Sequence, residues 1–323
     1  MFDSLNSSDK VILYAIPLFL IAIILEFVVN AIEDRKLYNG KDSIASIAMG
    51  MGSLFVNLGM KALALIVYGF LYQFRIFEGL ETHWWAWVIL FFADDFSFYW
   101  HHRLSHEVRI LWAAHVNHHS SVNLNYSTAL RQSWTELLHK YLFWLWLPII
   151  GFHPIMILTV MSISLIFQFL QHTRLVKKLG PIEWIFNTPS SHRVHHASNV
   201  RYMDRNHAGI LIIWDRIFGT YQEELDEDEP IYGITTNIDT YNPVKIATHE
   251  YAAIWHDLKQ MPTFKDKVKL LLYPPGWSTN GPNQTAKFLQ KQLHLEEQKT
   301  GMIKPSHKDA VKATPPQAET IAA

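Results

Sequence analysis

A long apolar run near the N-terminus limits the fold of this chain more than any other feature. Residues 11–29, "VILYAIPLFLIAIILEFVV", contain one charged side chain, Glu26. A helix needs about 20 predominantly apolar residues to cross the hydrocarbon core of a bilayer. The run has neither the basic start nor the small-residue cleavage site of a signal peptide. We therefore predict a retained transmembrane helix, with Glu26 in a structural role near its end.

Two further apolar stretches extend this pattern. Residues 44–73 are longer than one straight span needs and are interrupted by glycines and by Lys61. We expect either a tilted helix or a span preceded by an interfacial segment. Residues 84–100 are predicted as a third span. Asp94 and Asp95 are costly in lipid, so they require a polar or protein-buried face there.

A short hairpin and the distribution of basic residues predict the orientation. The apolar segments 141–150 and 155–170 are separated by Gly151 and Pro154, so the histidine-rich regions before and after this hairpin share one side of the membrane. Lysines and arginines are enriched on that side, whereas the loop between the second and third spans holds only Arg75. Three spans then place the N-terminus outside or in a lumen and the histidines in the cytoplasm. The membrane would be a bacterial inner membrane or that of the endoplasmic reticulum.

Cysteine and charge content restrict the chemistry. The chain has no cysteine and 18 histidines. Disulfides, cysteine-ligated clusters and cysteine-type zinc sites are therefore excluded, and a metal must be held by nitrogen and oxygen. The formal net charge is −1, with lysines and arginines scattered along the chain. We therefore expect no nucleic-acid partner.

Half of the histidines are concentrated in four short motifs. "HRLSH" starts at residue 102, "HVNHH" at 115, "QFLQHT" at 168 and "HRVHH" at 192. Spacings of three and four residues place side chains on one face of a helix. The histidines concerned are His102, His106, His115, His118, His119, His172, His192, His195 and His196.

Nine imidazoles exceed the ligand number usual for one metal ion. Zinc sites take about four protein ligands or fewer, so two metals with open positions for oxygen fit better. Imidazole suits iron, zinc and copper alike. The ligand number, the membrane setting and the absence of another redox centre favour a di-iron, oxygen-activating site.

The motifs resemble those of the fatty acid hydroxylase and sterol desaturase superfamily. The likeness covers roughly residues 15–280 and is strongest over 94–221. The strings that carry it are "DFSFYWHHRLSHEV", "LWAAHVNHHSSVNLNYSTALRQS", "LGPIEWIFNTPSSHRVHH" and "DRNHAGILIIWDRIFGTY", with "YGIT" at 232–235 and "PPGW" at 274–277.

The resemblance implies an all-α integral membrane helical bundle with a cytoplasmic, histidine-rich di-iron catalytic region. The boxed histidines would be the iron ligands, and His101 and His207 lie outside the pattern. The strings are most like the ether-lipid branch, which implies hydroxylation beside the ether oxygen of an O-alkylglycerol. The implied partners are the bilayer, the lipid, O2 and an external electron donor, either a reduced pterin or a separate protein.

Five further residues are candidates for supporting the site or lining a substrate slot. Asp95 and Tyr99 continue the helical face of His102 and His106, where Asp95 would orient a ligating imidazole. Two others belong to the string "NYSTALRQS", and the last opens the "QFLQH" box. The candidates are Asp95, Tyr99, Asn125, Arg131 and Gln168.

Other functions compete with this hypothesis. A sterol or fatty-acyl hydroxylase or desaturase would use the same metal site with another substrate slot. A zinc-dependent hydrolase would need a motif such as H-E-x-x-H, and "HEVRI" at 106–110 lacks the second histidine. A non-catalytic scaffold is disfavoured by the intact set of nine histidines.

Composition divides the chain into four regions. The last is rich in Lys, Pro and Ala and poor in large apolar groups, which predicts disorder. The regions are an N-terminal transmembrane region (1–93), a catalytic domain containing the hairpin of about 141–170 (94–222), a C-terminal cytoplasmic region (223–298) and a tail (299–323).

Overall fold

The computed structural model describes residues 7–279 and 281–300, which are helical or irregular. Within these ranges there is no β-strand, and only two isolated bridges pair Phe186 with Leu211 and Ala197 with Tyr232. The predicted all-α class is thereby confirmed for the described residues. The α-helices are α1 (Ser7–Glu33), α2 (Gly40–Tyr72), α3 (Trp84–Glu107), α4 (Arg109–His119), α5 (Tyr126–Ala129), α6 (Leu137–Lys140), α7 (Trp146–Ile150), α8 (Pro154–Leu170), α9 (Pro189–His195), α10 (Ile213–Phe218), α11 (Pro243–Gln260), α12 (Phe264–Leu272) and α13 (Ala286–Lys299). The 3-10 helices are Leu80–Thr82, Tyr141–Trp144 and Gly180–Trp184.

Helices α1 and α2 are long and apolar enough to cross a membrane. Only 11% of the most apolar part of each is buried. A core helix of a soluble protein would bury such side chains, so this exposure indicates a membrane protein. The second apolar stretch forms one continuous helix, which begins after Asn39. The side chain of Asn39 accepts hydrogen bonds from the backbone N–H groups of Lys41 and Asp42.

The predicted third span lies within α3. Among the described residues only α1 and α2 meet the length and hydropathy needed for a span, and α3 does not. Its first turn exposes Trp84 and Trp85, whereas its second half buries polar side chains such as Asp94, Asp95 and His102. Those polar groups lower its hydropathy. The orientation derived from three spans stays a prediction.

The predicted hairpin forms α7 and α8, which pack inside the bundle. Trp144, Leu147 and Ile157 share one buried cluster with Tyr68 of α2 and with α3. The turn is closed by Gly151 at φ 130°, where a Cβ would lie 2.2 Å from the carbonyl oxygen of Phe77. Only glycine fits this close backbone approach. The hairpin therefore packs against both α2 and α3.

The C-terminal helices pack onto the helices that carry the histidines. Helix α11 lies against α4 and against the start of α2, where Ile246 and Ala247 share a buried cluster with Ala45 and Met49. Helix α12 also contacts α4. The domain boundaries stay a prediction, and the predicted tail lies outside the described residues from position 301 onward.

Candidate metal centre

Nine buried histidines form two groups at the junction of α3, α4, α8 and α9. Within each group, one ring nitrogen from every histidine lies within 4.8 Å of the others. They are the nine histidines that the sequence motifs single out, and none is more than 7% exposed. The five-histidine group is His102, His106, His115, His119 and His195, and the four-histidine group is His118, His172, His192 and His196.

The two H-x-x-H-H motifs each serve both groups. Successive residues of a helix point about 100° apart, whereas residues four apart lie nearly on one line. In α4, His115 and His119 therefore share the five-histidine group while His118 faces the other. At α9 the assignment is reversed, because the pair four apart belongs to the four-histidine group and His195 to the five-histidine group.

Two ring nitrogens of the four-histidine group face each other as acceptors. His118 Nδ1 lies 3.2 Å from the carbonyl oxygen of Arg131, and His172 Nδ1 lies 2.8 Å from that of Gln168. A carbonyl only accepts, so both Nδ1 atoms carry the proton and both Nε2 atoms of the neutral rings carry a lone pair. The two Nε2 atoms nevertheless lie 3.0 Å apart. Two lone pairs at this distance repel each other unless they share a cation.

The five-histidine group repeats this arrangement. His102 Nδ1 lies 2.7 Å from the carbonyl oxygen of His207, and His115 Nδ1 lies 3.2 Å from Glu136 Oε2. Both partners accept, so both Nε2 atoms carry a lone pair, and they lie 3.0 Å apart. The same requirement for a cation therefore arises in each group.

The spacing of these nitrogens fits one ion per group. Metal–imidazole bonds of about 2.0–2.1 Å, the length known for zinc, separate two nitrogens by about 3.0 Å when they meet at a right angle. The contacting Nε2 atoms lie 3.0–3.2 Å apart. The Nε2 atoms of His106 and His195 are buried without a hydrogen-bond partner, and an ion would satisfy both. The ligand role of the nine residues stays a prediction.

Two carboxylates beside the five-histidine group were not predicted to orient its rings. Glu136 Oε2 contacts His115, and Asp204 Oδ1 lies 3.4 Å from His106 Nδ1. Carboxylates in this position orient a ligating imidazole and raise its basicity. Glu136 stands 21 residues from His115, and no spacing rule of the sequence connects the two.

We expect Glu136→Leu to weaken metal binding by the five-histidine group. The change leaves the Nδ1–H of His115 without its acceptor, and outer-shell changes of this kind lower metal affinity by about 10–100-fold. Chelator competition with detergent-purified protein measures the loss. Glu136→Gln keeps an acceptor oxygen, so its metal affinity should lie between those of the wild type and Glu136→Leu. Glu297, a buried glutamate that contacts Arg201, gives the control variant Glu297→Gln; an equal loss in that variant would contradict a local effect of Glu136.

Asp95 supports the site through the backbone and makes no hydrogen bond to an imidazole in the described chain. Its carboxylate accepts hydrogen bonds from the backbone N–H groups of Ile210 and Leu211 at 2.7 and 2.9 Å and from Trp214 Nε1 at 3.0 Å. These bonds anchor the segment that follows His207, whose carbonyl oxygen contacts His102. Asp95 therefore lies one step further from the rings than the sequence suggests.

Tyr99 and Asn125 also act at a distance from the rings. The Tyr99 hydroxyl contacts Thr220 Oγ1 at 2.9 Å within a buried aromatic cluster. Asn125 caps α5 and donates from Nδ2 to the carbonyl oxygen of Leu37 at 2.8 Å. Both side chains fasten segments around the site, and neither hydrogen-bonds a histidine of the two groups.

Arg131 and Gln168 reach the four-histidine group through their backbone carbonyls. These two oxygens are the acceptors for His118 and His172 described above. The Arg131 side chain is almost fully buried and pairs with Asp42 of α2 at 3.1 Å. The position of His118 therefore depends on an ion pair with α2.

His101 and His207 are buried beside the site but join neither group. The His207 ring centroid lies 5.0 Å from that of His106. His101 Nε2 lies 3.5 Å from Glu136 Oε1. Both residues fall outside the predicted ligand pattern, and the geometry leaves them there.

We expect the metal-free protein to lose stability in mild acid. Burial lowers the pKa of His172 from 6.5 to about 4 and that of His207 to about 3. The unfolded chain takes up these protons as the pH falls below about 6.5, whereas the folded chain does not until about pH 4. Each such group then removes up to about 1.4 kcal/mol of unfolding free energy per pH unit. Burial also raises the pKa of Asp204 to about 7 and that of Asp215 to about 6, which acts in the opposite direction, but the buried histidines with a lowered pKa are more numerous. The thermal midpoint of chelator-treated protein should therefore fall from pH 7.5 to pH 5; a rising midpoint would contradict the burial of neutral rings.

A cavity of about 350 Å³ opens onto both groups. His106, His119, His195 and His196 form one side of it, together with Trp112. The strings "YGIT" and "PPGW" supply residues 233–235 and 275–276 of the lining. The C-terminal region therefore builds part of the access to the histidines.

The backbone conformation of the cavity wall requires the glycine of "PPGW". Gly276 has a φ of 81°, and a Cβ would lie 2.5 Å from the carbonyl oxygen of Gln284. Arg109, which also lines the cavity, is held by Glu250 at 2.9 Å and by Asp257 at 2.7 Å. The cavity thus carries charged and hydroxyl groups beside the metal groups, which suits a ligand with a polar end.

Comparison with known families gives a match over the histidine-bearing region. Residues 87–220 match the fatty acid hydroxylase family, and this range contains all nine histidines. The resemblance inferred from the histidine boxes is therefore confirmed. No solved structure matches the chain.

Several characterised proteins are similar over most of this chain. Alkylglycerol monooxygenase of Homo sapiens is 37% identical over 284 residues, and that of Danio rerio is 38% identical over 285 residues. Each alignment covers 87% of this chain and 63% of the relative, so the chain spans less than two thirds of their length. Ornithine lipid hydroxylase of Rhizobium tropici is 30% identical over 145 residues, which are 45% of this chain and 44% of that protein.

Proposed function

Because residues 87–220 of this chain form a fatty acid hydroxylase domain, we propose that the protein is a membrane-bound di-iron monooxygenase that hydroxylates a lipid. The C–H bond attacked lies beside the ether oxygen of an O-alkylglycerol. The observation that carries the proposal is the pair of opposed Nε2 lone pairs in each histidine group. These pairs support one cation in each group. The candidate ligands are five histidines in one group and four in the other, so neither group includes a carboxylate ligand.

The chemistry of the donor set suits iron. When bound, two iron ions would supply the redox chemistry by which O2, reduced with electrons from an external donor, places one oxygen atom in a C–H bond. Burial lowers the pKa of eight of the nine imidazoles, which favours the neutral form that binds a metal. Backbone carbonyls and two carboxylates orient the rings. Since the rings bring no negative charge, the net positive charge of the ions is retained in the site.

We place the substrate in the cavity beside the two histidine groups. Its wall contains candidate ligands of both groups, so a substrate bound there would lie beside both. Thr235, Glu250 and Arg109 offer hydrogen bonds to a polar lipid end, while Trp112 and Val116 offer apolar contact. Fixing the polar end in this way would bring one carbon of the chain to the histidines.

The balance of the reaction requires an external donor. One O2, two electrons and two protons convert the C–H bond to C–OH and one water. Hydroxylation beside an ether oxygen gives a hemiacetal, which separates into an aldehyde and a glycerol. The chain carries no nucleotide-binding G-x-G-x-x-G or haem-binding C-x-x-C-H motif. The electrons would come from a reduced pterin or from a separate donor protein.

The proposal is tested by product analysis of the iron-loaded protein in detergent. The protein is incubated with an O-alkylglycerol, a matched acylglycerol, a free fatty acid or a sterol, each with and without tetrahydropterin. We expect an aldehyde of the alkyl chain from the ether alone, carrying label from ¹⁸O2, and none from a His195→Ala variant. Hydroxylated or desaturated acyl chains or sterols instead would favour the alternative within the superfamily, a fatty-acyl or sterol hydroxylase or desaturase.

A further inference from the structure

The first transmembrane helix carries a buried carboxylate that faces the catalytic region. Glu26 is only 1% exposed, whereas its neighbours Leu25 and Phe27 are 60% and 54% exposed. An ionisable side chain within an apolar span is rare and costly, and it faces the protein interior where it has partners. Its retention in α1 calls for an explanation beyond anchoring the chain.

Three segments of the chain donate hydrogen bonds to Glu26. Thr173 Oγ1 donates to Oε1 at 2.5 Å. Tyr38 Oη donates to Oε2 at 2.6 Å, and the backbone N–H of Tyr126 donates to the same oxygen at 2.7 Å. The carboxylate therefore joins α1 to the segment after α8 and to the start of α5.

Thr173 connects Glu26 to the four-histidine group. It directly follows His172, whose Nε2 lies 3.0 Å from the Nε2 atoms of both His118 and His192. The carbonyl oxygen of Thr173 accepts a hydrogen bond from Arg193 of α9 at 3.2 Å. Thr173 is thus held on one side by α1 and on the other by the helix that carries His192.

We propose that Glu26 is a positioning residue of the four-histidine group, through which the first transmembrane helix sets the metal affinity of that group. The inference rests on the proposed metal site. By fixing Thr173, the carboxylate fixes the backbone at His172 and so the direction of the His172 ring. Loss of this bond frees the segment between α8 and α9 and lowers the affinity for the ion.

The effect is selective because the five-histidine group is supported elsewhere. His102 and His195 donate from Nδ1 to the carbonyl oxygens of His207 and Arg205. Glu136 and Asp204 contact the rings of His115 and His106. In the described residues, α1 supplies no hydrogen bond to any of these partners, so a change at Glu26 leaves them in place.

The test compares Glu26→Leu, Thr173→Val and the double variant by chelator competition of iron-loaded protein in detergent. We expect each single change to lower the affinity for one of the two irons by about 10–100-fold, as outer-shell changes do. The double variant should be no worse than the more severe single variant, because Glu26→Leu already breaks the hydrogen bond that Thr173→Val removes. Glu26→Gln keeps an acceptor for Thr173 and should restore part of the affinity.

Spectroscopy identifies the group that is affected. His172→Ala provides the Mössbauer reference for protein depleted in the four-histidine group, and His195→Ala the reference for the other. The iron left in Glu26→Leu should match the His172→Ala spectrum. A match to His195→Ala, or wild-type affinity for both irons in Glu26→Leu and Thr173→Val, overturns the inference.

A second substitution in α1 separates positioning from general packing. Ser8 lies near the opposite end of α1 and donates to the carbonyl oxygen of Leu158 of α8 at 2.9 Å. Ser8→Ala loosens the helix far from the histidines and should retain both irons. If Ser8→Ala loses iron as Glu26→Leu does, α1 acts only by packing and the inference fails. A wild-type protein that binds fewer than two irons rejects the proposed function instead.

Discussion

Alanine substitutions of two adjacent histidines are expected to empty different metal sites. His195 belongs to the five-histidine group and His196 to the four-histidine group. Each single variant should keep one iron of the two, and the double variant should keep neither. Turnover of the lipid should fall by more than about 100-fold in every case, since changes outside the ligand shell alone cost about 10–100-fold. Alanine at these two neighbouring positions would thus remove different irons.

Elemental analysis of detergent-purified protein, loaded under iron-replete conditions, measures the number of irons that each variant keeps. The control is His256→Ala, which alters an exposed histidine of α11 that contacts Gln260. It should retain both irons. Mostly zinc in the wild-type protein, or unchanged metal content in the double variant, would contradict the di-iron mechanism. A zinc-dependent hydrolase or a non-catalytic scaffold would then become the better interpretation.

Replacing Arg131 by methionine is expected to cause the largest loss of stability. Its guanidinium donates from Nη1 to Asp42 Oδ1 at 3.1 Å and from Nε to the carbonyl oxygen of Asn117 at 3.1 Å. Removing one partner of a buried ion pair costs about 3–5 kcal/mol, because the other charge stays buried alone. For a chain of 323 residues that corresponds to a fall in the thermal midpoint of roughly 4–7 °C.

Thermal unfolding of the protein in detergent provides the measurement. Arg131→Met combined with Asp42→Leu removes both charges and should recover part of the loss, since no uncompensated charge remains. Arg131→Lys keeps the charge but loses the planar donor geometry, so it should lie between wild type and Arg131→Met. A double variant as unstable as the sum of its single variants would show that the pair does not couple Asp42 to Arg131.

Much of the architecture follows from local patterns in the sequence. Apolar runs of transmembrane length predict α1 and α2, and Gly151 with Pro154 predicts the break between α7 and α8. Residues three and four apart predict that the boxed histidines converge. These features depend on helix geometry and hydropathy over a few consecutive residues, so they can be read without knowing the packing. The predicted third span does not meet the length and hydropathy needed for a span, because the polar second half of α3 offsets its apolar first half.

The partners of the histidines could not be predicted in this way. Glu136 lies 21 residues from His115, and Glu26 lies 147 residues from Thr173. Asp95 continues the face of His102 on α3, yet it binds backbone amides 115 and 116 residues away. Such pairs arise from the way helices pack, which short sequence spacing does not encode.

The sequence by itself determined the helical class, the apolar helices α1 and α2, the nine candidate ligands and the match of residues 87–220 to a known family, because each depends on residue type and on spacing within one segment. Only the tertiary structure decided that the nine divide into five and four, and that adjacent histidines face different groups. It also decided which carbonyls and carboxylates orient each ring. The physical reason is that a hydrogen bond between distant segments exists only once the helices that carry them have packed together.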